Sequence, residues 1–439
     1  MSTNISVIIG STDFSSAPDE TGSHVRVSIG SHTNVESHVG TNFIEHCHAE
    51  YGLTFAPTVI DLVHLSLAVF AADKIALRSS AYDSWSRDFK IYFPVADTAL
   101  WTSCKEIIEE SLSFLTGDHW QIRFRERESS TNHETARLPH SKVCLLSGGL
   151  DSFIGAADAI SENRQNKVIC ISKYGNGGDE SNPQDRVTSC LFRHFGGESF
   201  RWIKAYAQPF FPNHAMEDST RSRSFLFLSH GTALASVLDN GNELIYPENG
   251  LISLNVPLTP SRRGSLSTRT THPHFISLFK QMLQALEINV NIRNPYQLKT
   301  KGEMINESAE VDFIKNNART SCSCSHPSAA RFSSHSPGEH CGYCLPCLIR
   351  RAALKAAGIE NCERYIVDVT ERAPESYTKS GKDYRAVRMS LIREHDSTAS
   401  PLLRVLGSGP LPQENIEDYA SVFQRGIAEL NAFLERTAQ

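Results

Sequence analysis

The amino-acid sequence predicts an α/β fold with a doubly wound parallel sheet. Three patterns predict it: apolar strand-like runs alternate with helical periodicity at 143–205, a polar aperiodic stretch at 125–140 precedes them, and amphipathic spacing closes the chain after Asn415. The predicted organisation is an N-terminal α+β accessory domain at 1–135, a doubly wound domain at 141–362 and a C-terminal helical extension at 363–439.

The N-terminal part carries both helical and strand-like patterns. Apolar residues recur at helical spacing over 58–77 and again over 101–115. Residues 88–95 alternate like a strand, and 120–124 form a second strand candidate. We therefore expect two helices and two strands before the aperiodic stretch, whose polar composition suits a linker.

The segment after the linker alternates regularly between strand and helix. Short buried-strand patterns occupy 143–146, 168–171 and 200–205, while helical patterns follow Ser152 and cover 186–195. Strands separated by helices predict parallel pairing, because a crossover helix returns the chain to the same edge of the sheet. The tail predicts one amphipathic helix with the apolar residues Ile416, Tyr419, Phe423, Ile427, Leu430 and Leu434.

The composition is that of an ordinary globular protein. The 439 residues are 40% hydrophobic and 21% charged, with a formal net charge of −6. The absence of a basic excess argues against a nucleic-acid partner. Neither a signal-peptide pattern nor an apolar span of roughly 20 residues is present, so we expect a cytoplasmic protein without membrane contact.

A glycine-containing loop joins the strand at 143–146 to the helix after it. Its residues are Ser147, Gly148, Gly149, Leu150, Asp151 and Ser152. At such a turn, unpaired N–H groups and the helix dipole attract anions, and glycine lets a phosphate approach the backbone. The serine hydroxyls are hydrogen-bond donors, and Asp151 is a carboxylate ligand for Mg²⁺. The pattern predicts a phosphate site, and the simpler alternative is a Gly-Gly turn with a helix cap.

Five of the eleven cysteines lie close together in the sequence. Cys341, Cys344 and Cys347 are separated by two residues each, which directs neighbouring sulfurs at one metal ion. In a reducing compartment such a group favours metal binding over disulfides. Four sulfur ligands leave no open position, so we expect a structural Zn²⁺ site, although spacing alone leaves an iron–sulfur cluster as an alternative. The predicted fourth ligand is Cys324, with Cys322 as the alternate and His326 or His340 as weaker candidates.

The loop at 147–152 matches the signature of N-type ATP pyrophosphatases, which resemble one another in cleaving ATP between the α- and β-phosphates. Together with the cysteines that follow, it resembles the QueC family, the 7-cyano-7-deazaguanine synthases, over roughly 142–358. Residues 223–229 and 299–303 look like two further segments of that family. The resemblance implies a PP-loop fold of the adenine nucleotide alpha hydrolase kind.

The resemblance also implies roles for individual residues. ATP and Mg²⁺ would bind at the loop, and Arg223 and Lys301 would face the phosphates, where cations stabilise the charge on a leaving pyrophosphate. Asp151, Ser152 and Lys301 are the predicted catalytic residues.

The chain departs from the compact QueC enzymes by its N-terminal domain and its helical tail. This extended organisation looks like the QueC-like proteins of bacterial anti-phage operons, of the Qat and type IV CBASS kinds, including the family-like string at 114–120. Residues 247–250 and 267–273 replace the substrate segment of QueC. Among them, Arg269 suits a substrate carboxylate, Glu248 could accept from guanine-like N–H groups, and His272 could position or deprotonate an amine.

The predicted reaction is an ATP-dependent ligation. A 7-deazaguanine-type carboxylate, 7-carboxy-7-deazaguanine, attacks the α-phosphorus, and an amine then displaces AMP to give an amide. With ammonia as the amine, a second ATP-driven dehydration would give the nitrile, as the QueC resemblance implies. The amine would be ammonia or an amine of a partner protein from the same operon. The rival predictions are a tRNA-modifying or amidating PP-loop enzyme with another acceptor, and a non-catalytic nucleotide-binding scaffold in a defence complex.

Overall fold

The structure, a computed structural model, describes most of the chain. The described residues are 2–9, 24–31, 38–127, 136–163, 167–176, 178, 180–212, 214–258, 269–326, 339–359, 363–395 and 400–435. Half of the predicted linker, at 128–135, and the first two residues of the 267–273 segment lie outside them.

The described residues of the N-terminal part form five parallel strands in the order β3-β2-β1-β4-β5. Helices α1 and α2 connect β3 to β4, and α3 and α4 connect β4 to β5. The bounds are β1 Ser2–Ile9, β2 His24–Ser31, β3 Val39–Thr41, α1 Phe43–Tyr51, α2 Pro57–Ile75, β4 Asp88–Val95, α3 Thr98–Ser103, α4 Lys105–Thr116 and β5 His119–Glu126.

This parallel arrangement corrects the α+β prediction for the N-terminal domain. The sequence patterns located α2, β4 and β5 but predicted no element before residue 57, so β1 to β3 were missed. A period of two identifies a strand without showing the direction of its neighbour, which depends on the connection. The helix predicted at 101–115 is interrupted, because Cys104 separates α3 from α4.

The second part repeats the same strand order, as β8-β7-β6-β9-β10, and all of its pairs are parallel. It therefore confirms the parallel α/β prediction. The bounds are β6 Lys142–Leu145, α5 Leu150–Glu162, β7 Val168–Tyr174, α6 Ser181–Phe195, β8 Phe200–Pro209, α7 Arg223–Ala235, β9 Glu243–Ile245, α8 Gly250–Leu254, α9 Pro273–Ala285, β10 Asn291–Arg293, α10 Lys301–Asn306, α11 Val311–Asn317 and α12 Leu345–Ala356.

The two sets of strands join into one sheet of ten strands among the described residues. The joint is antiparallel, with Val39 opposite Pro209 and Thr41 opposite Ala207. The carboxyl ends of the two strand sets therefore point to opposite edges of the sheet. One apolar core extends across the joint, from Phe43 in α1 to Phe225 in α7. The domain boundaries stay a prediction, since a continuous sheet and core span the first of them.

A buried charge cluster explains part of the family-like string at 114–120. Asp118 forms ion pairs with Arg78 at 2.9 Å and with Arg87 at 2.6 Å, and the three side chains are almost fully buried. The backbone oxygen of Thr116 accepts hydrogen bonds from Arg78 and from Arg221, which lies shortly before α7. The string therefore links the N-terminal strands to the start of α7.

Three helices end the described chain: α13 Lys379–His395, α14 Pro401–Leu406 and α15 Ile416–Leu434. The predicted tail helix is confirmed by α15, which packs on α8, α12 and α14. Its apolar face is buried at Tyr419, Phe423, Ile427, Leu430 and Leu434. Within the described ranges, no helix combines the length and the apolar character needed to cross a bilayer.

Candidate active site

The loop at 147–152 lies at the carboxyl end of β6, where the chain enters α5. Gly148 has a φ of +86°, and a Cβ there would meet the backbone nitrogen of Gln184 at 2.9 Å. The loop therefore packs against the start of α6, and only glycine fits this position without strain. β6 lies between β7 and β9, so the strands that follow β6 in sequence lie on both sides of it in the sheet. Ligands of doubly wound folds usually bind at the carboxyl end of the strands at such a position.

The two serines of the loop brace its backbone. Ser152 Oγ accepts from the N–H of Ser147 at 3.2 Å and donates to the oxygen of Gly149 at 3.0 Å. The two hydroxyl oxygens are 3.1 Å apart. Ser147 is exposed, whereas Ser152 is buried. Ser147 is therefore the serine that a phosphate could reach directly, and Ser152 supports the turn.

Asp151, a residue of the loop, forms a buried ion pair with Lys301. Lys301 Nζ is 2.5 Å from Asp151 Oδ1, and both side chains are less than a tenth exposed. Asn249 donates to Asp151 Oδ2 from its side chain at 2.7 Å and from its backbone at 3.2 Å. Burial opposes ionisation of Asp151, but the ammonium of Lys301 and these hydrogen bonds hold its pKa below the usual range.

Local structure fixes both partners of Asp151. Lys301 is the first residue of α10, whose start is held by a capping box between Thr300 and Glu303. Asn249 caps α8, because its side chain accepts from the N–H of Ile252 at 3.1 Å. Residues 247–250 were singled out in the sequence, but no role was predicted for Asn249. The pattern that could have identified it as a helix cap is an asparagine directly before the glycine that begins α8.

Glu248 lies at the same end of the sheet as Asp151. Its carboxyl group is hydrogen-bonded to Asp151 and contributes to lowering the pKa of Asp151. Asn294, just after β10, donates to the backbone oxygen of Glu248 at 2.7 Å. The structure thus brings Asp151, Glu248 and Lys301 together, three residues that are far apart in sequence.

Arg223 begins α7 and pairs with Glu180 at 2.5 Å, with its side chain 43% exposed. Glu180 also pairs with Lys173, at 3.2 Å. Lys173 is buried at the end of β7, the strand beside the loop-bearing β6, and burial lowers its pKa. Neither Lys173 nor Glu180 was predicted from the sequence. They lie only seven residues apart in the chain, at the end of β7 and just before α6, but neither belongs to a motif or a periodic pattern.

Arg269 and His272 lie against Phe114 of α4. The guanidinium of Arg269 is 4.4 Å from the Phe114 ring centre and donates to the Phe114 backbone oxygen at 3.2 Å. His272 is fully buried and caps α9, accepting from the N–H of His274 at 3.2 Å, while its Nε2 is 3.1 Å from Ser408 Oγ. Both ring nitrogens of His272 thus have partners. A proton-transfer role stays a prediction, and it requires the contact with Ser408 to open.

The predicted cysteine ligands meet in the structure. One ligand atom from each of Cys324, Cys341, Cys344 and Cys347 lies within 4.8 Å of the others. The Sγ atoms of Cys341 and Cys347 are 3.8 Å apart. A tetrahedral site with Zn–S bonds of about 2.3 Å requires sulfur separations of about 3.8 Å, so the group fits Zn²⁺.

The structure also distinguishes the alternative ligands. Cys324, rather than Cys322, belongs to the group, and its sulfur accepts from the N–H groups of His326 and Cys341, at 3.2 and 3.4 Å. The N–H of Cys322 instead donates to the oxygen of Gly148 at 2.8 Å. His340 uses its Nε2 to accept from the N–H of Ser323 at 3.0 Å.

Comparison with known protein families gives a match in the second part of the chain. Residues 270–358 match the family of queuosine biosynthesis protein QueC. The QueC match spans about a fifth of the chain and includes His272, Lys301 and the four cysteines, but it begins after the loop at 147–152. A search of curated proteins gives no significant match.

The QueC-like segment, with the loop that contacts it, supports an ATP-using enzyme of the PP-loop kind. The four-cysteine group supports zinc binding.

Proposed function

We propose that the protein is an ATP-dependent ligase that adenylates a 7-deazaguanine-type carboxylate, 7-carboxy-7-deazaguanine, for attack by an amine. The observation that carries the proposal is the buried ion pair between Lys301 and Asp151. It joins the QueC-like segment to the phosphate loop, although the two residues are 150 positions apart. Two sequence features that each predict ATP chemistry are thereby parts of one site.

The first step we propose is the binding of ATP along the loop. Backbone N–H groups at the start of α5 and the exposed hydroxyl of Ser147 would hold the phosphates. Lys301 from one side and Arg223 from the other would stabilise the charge that develops on pyrophosphate as it leaves. Both cations already have carboxylate partners, Asp151 and Glu180, which hold them in position before ATP binds.

The carboxyl groups of Asp151 and Glu248 fit a site for Mg²⁺. Glu248 lies close enough to Asp151 to lower its pKa, and carboxylate oxygens are the ligands that Mg²⁺ prefers. Mg²⁺ would neutralise charge on the pyrophosphate. This assignment places Glu248 at the phosphate end of the site. Its predicted contact with guanine-like N–H groups would then use the carboxyl oxygen that faces away from Asp151.

The second step is attack of the acceptor carboxylate on the α-phosphorus, which forms an acyl-adenylate and releases pyrophosphate. An amine, either ammonia or an amine of a partner protein, then displaces AMP. Arg269 is the proposed carboxylate partner, because a guanidinium binds both oxygens of a carboxylate. Its guanidinium stacks on the Phe114 ring, and the residue is partly exposed. A role in anti-phage defence is part of the same proposal and rests on the resemblance in domain organisation.

The proposal is tested by measuring AMP and pyrophosphate formation with purified protein, ATP and Mg²⁺. We expect release that depends on 7-carboxy-7-deazaguanine, with an amide or nitrile appearing when ammonia is added. Release that occurs only with a different carboxylate would keep the ATP pyrophosphatase and reject the deazaguanine acceptor. ATP binding without any release, with every acceptor tested, would favour the scaffold instead.

A further inference from the structure

Residues 321–324 connect the phosphate loop directly to the cysteine group. The N–H of Leu150, at the start of α5, donates to Ser323 Oγ at 3.2 Å. The N–H of Cys322 donates to the oxygen of Gly148 at 2.8 Å. The next residue, Cys324, contributes its sulfur to the metal-binding group. Two hydrogen bonds therefore hold the loop against Cys322 and Ser323, and a single peptide bond joins Ser323 to the predicted zinc ligand Cys324.

Ser323 is also held from the side of the cysteine group. Its N–H donates to His340 Nε2 at 3.0 Å, and His340 directly precedes Cys341. The fully buried Arg350 donates to Ser323 Oγ at 3.3 Å and to Ser321 Oγ at 3.0 Å. Ser323 thus lies between the two sites, and a displacement of either site would change the hydrogen bonds of its backbone or its hydroxyl.

The hydroxyl of Ser323, beside the loop, can still donate one hydrogen bond. A serine hydroxyl has two acceptor lone pairs and one proton. The donors from Leu150 and Arg350 occupy the two lone pairs. Within the described ranges the hydroxyl proton has no acceptor, so it is the group that could bind an anion next to the N–H groups that begin α5.

We propose that Ser323 is a positioning residue that links nucleotide binding at the loop to metal retention by the cysteines. The inference rests on the proposed function only in that the loop binds ATP. A phosphate that orders the loop would also order Ser323, and with it the neighbouring ligand Cys324. By thermodynamic reciprocity, the factor by which nucleotide tightens metal binding equals the factor by which metal tightens nucleotide binding.

Three variants test the linkage. Ser323→Ala removes the hydroxyl that contacts the loop, and Ser323→Thr retains a hydroxyl. Ser321→Ala is the matched control, because Ser321 contacts Arg350 but bonds to Ala318 rather than to the loop. Each protein would be loaded with Zn²⁺, and transfer of the metal to a colorimetric chelator would be timed with and without the α,β-methylene analogue of ATP and Mg²⁺. Calorimetry would give the affinity for the analogue.

We expect the analogue to slow zinc transfer several-fold in the wild type, in Ser321→Ala and in Ser323→Thr, but not in Ser323→Ala. The loss of one hydrogen bond should weaken analogue binding by Ser323→Ala roughly three- to tenfold. Wild-type linkage in Ser323→Ala would overturn the role of Ser323. Zinc transfer that ignores bound analogue in the wild type would overturn the linkage while leaving the proposed function intact. Failure of the wild type to bind the analogue would reject both proposals.

Discussion

Asp73 of α2 accepts hydrogen bonds from both the backbone N–H and the hydroxyl of Ser222, at 3.2 and 2.8 Å, and so caps α7 from another part of the chain. Asp73 also pairs with Arg87 at 2.6 Å, and neither side chain is more than a few per cent exposed. Arg223, one of the proposed ATP-binding residues, follows Ser222 directly. The N-terminal strands and their helices therefore help to position the candidate active site.

Replacement of Asp73 by alanine should destabilise the protein strongly. The substitution removes one of the carboxylate partners of the buried Arg87 and removes the cap of α7. We expect the free energy of unfolding to fall by about 3 to 5 kcal/mol. Urea unfolding measures the change in the free energy of unfolding. The control is Asp88→Ala at an exposed position, for which a change within about 0.5 kcal/mol is expected. Equal effects of the two substitutions would show that the buried contact contributes nothing.

Replacement of Cys344 by serine should lower metal content and stability together. It removes one of the four ligand atoms, and the binding energy of a structural metal is part of the folding energy. Elemental analysis and thermal unfolding check the two effects. Cys322→Ser is the matched control, since Cys322 lies outside the ligand group, and it should retain the metal. Iron in the purified wild type would contradict the zinc assignment.

The buried histidine His230 should make the protein sensitive to acid. His230 is fully buried in α7, 4.4 Å from the ring of Phe43, and burial lowers its pKa to about 3. An unfolded histidine titrates near pH 6.5, so the unfolded state binds more protons below that pH. Its contribution to stability is thus lost as the pH falls from about 6.5 towards 3.

His230→Phe should therefore flatten the pH dependence of stability. Between pH 7 and pH 5, it should reduce the loss in the free energy of unfolding by about 2 kcal/mol. Urea unfolding at the two pH values measures this difference. Substitution of the exposed His48 by phenylalanine is the control and should leave the pH dependence unchanged. An unchanged slope for His230→Phe would mean that this histidine is already charged in the folded protein.

Replacement of Arg269 by alanine should weaken binding of the acceptor much more than binding of ATP. A charge-assisted pair is worth about 1.5 to 3 kcal/mol, which corresponds to roughly ten- to a hundredfold in affinity for the carboxylate. Calorimetry with 7-carboxy-7-deazaguanine and with ATP separates the two ligands. Arg269→Lys keeps the charge but not the bidentate geometry and should give an intermediate loss. Equal losses for both ligands would show that Arg269 acts on the fold, through Phe114.

Local patterns in the sequence were sufficient to predict the elements that carry most of the chemistry. The loop at 147–152 could be placed between a strand and a helix because its glycines and the flanking periodicities lie within about 20 residues. The cysteine spacing likewise predicted three ligands, and the structure places Cys324, the predicted fourth, beside them.

Contacts between distant segments could not be predicted in the same way. The ion pairs of Asp151 with Lys301 and of Glu180 with Arg223 depend on which strand lies beside which, and periodicity does not encode strand order. The parallel direction of β4 and β5 was missed for the same reason. The role of His272 could not be predicted either, because a histidine before a proline is equally compatible with a helix cap and with a catalytic base.

The central claim is that the loop at 147–152 and Lys301 cleave ATP between its α- and β-phosphates. The most direct measurement is AMP and pyrophosphate production by Lys301→Ala, compared with Lys299→Ala two residues away. Lys299 is 34% exposed and pairs with Glu307 rather than with Asp151, so it controls for the loss of a positive charge. We predict that Lys301→Ala lowers the rate at least a hundredfold, about 3 kcal/mol, while Lys299→Ala stays within a few-fold of the wild type. Undiminished AMP production by a folded Lys301→Ala protein would show that Lys301 does not take part in the cleavage of ATP.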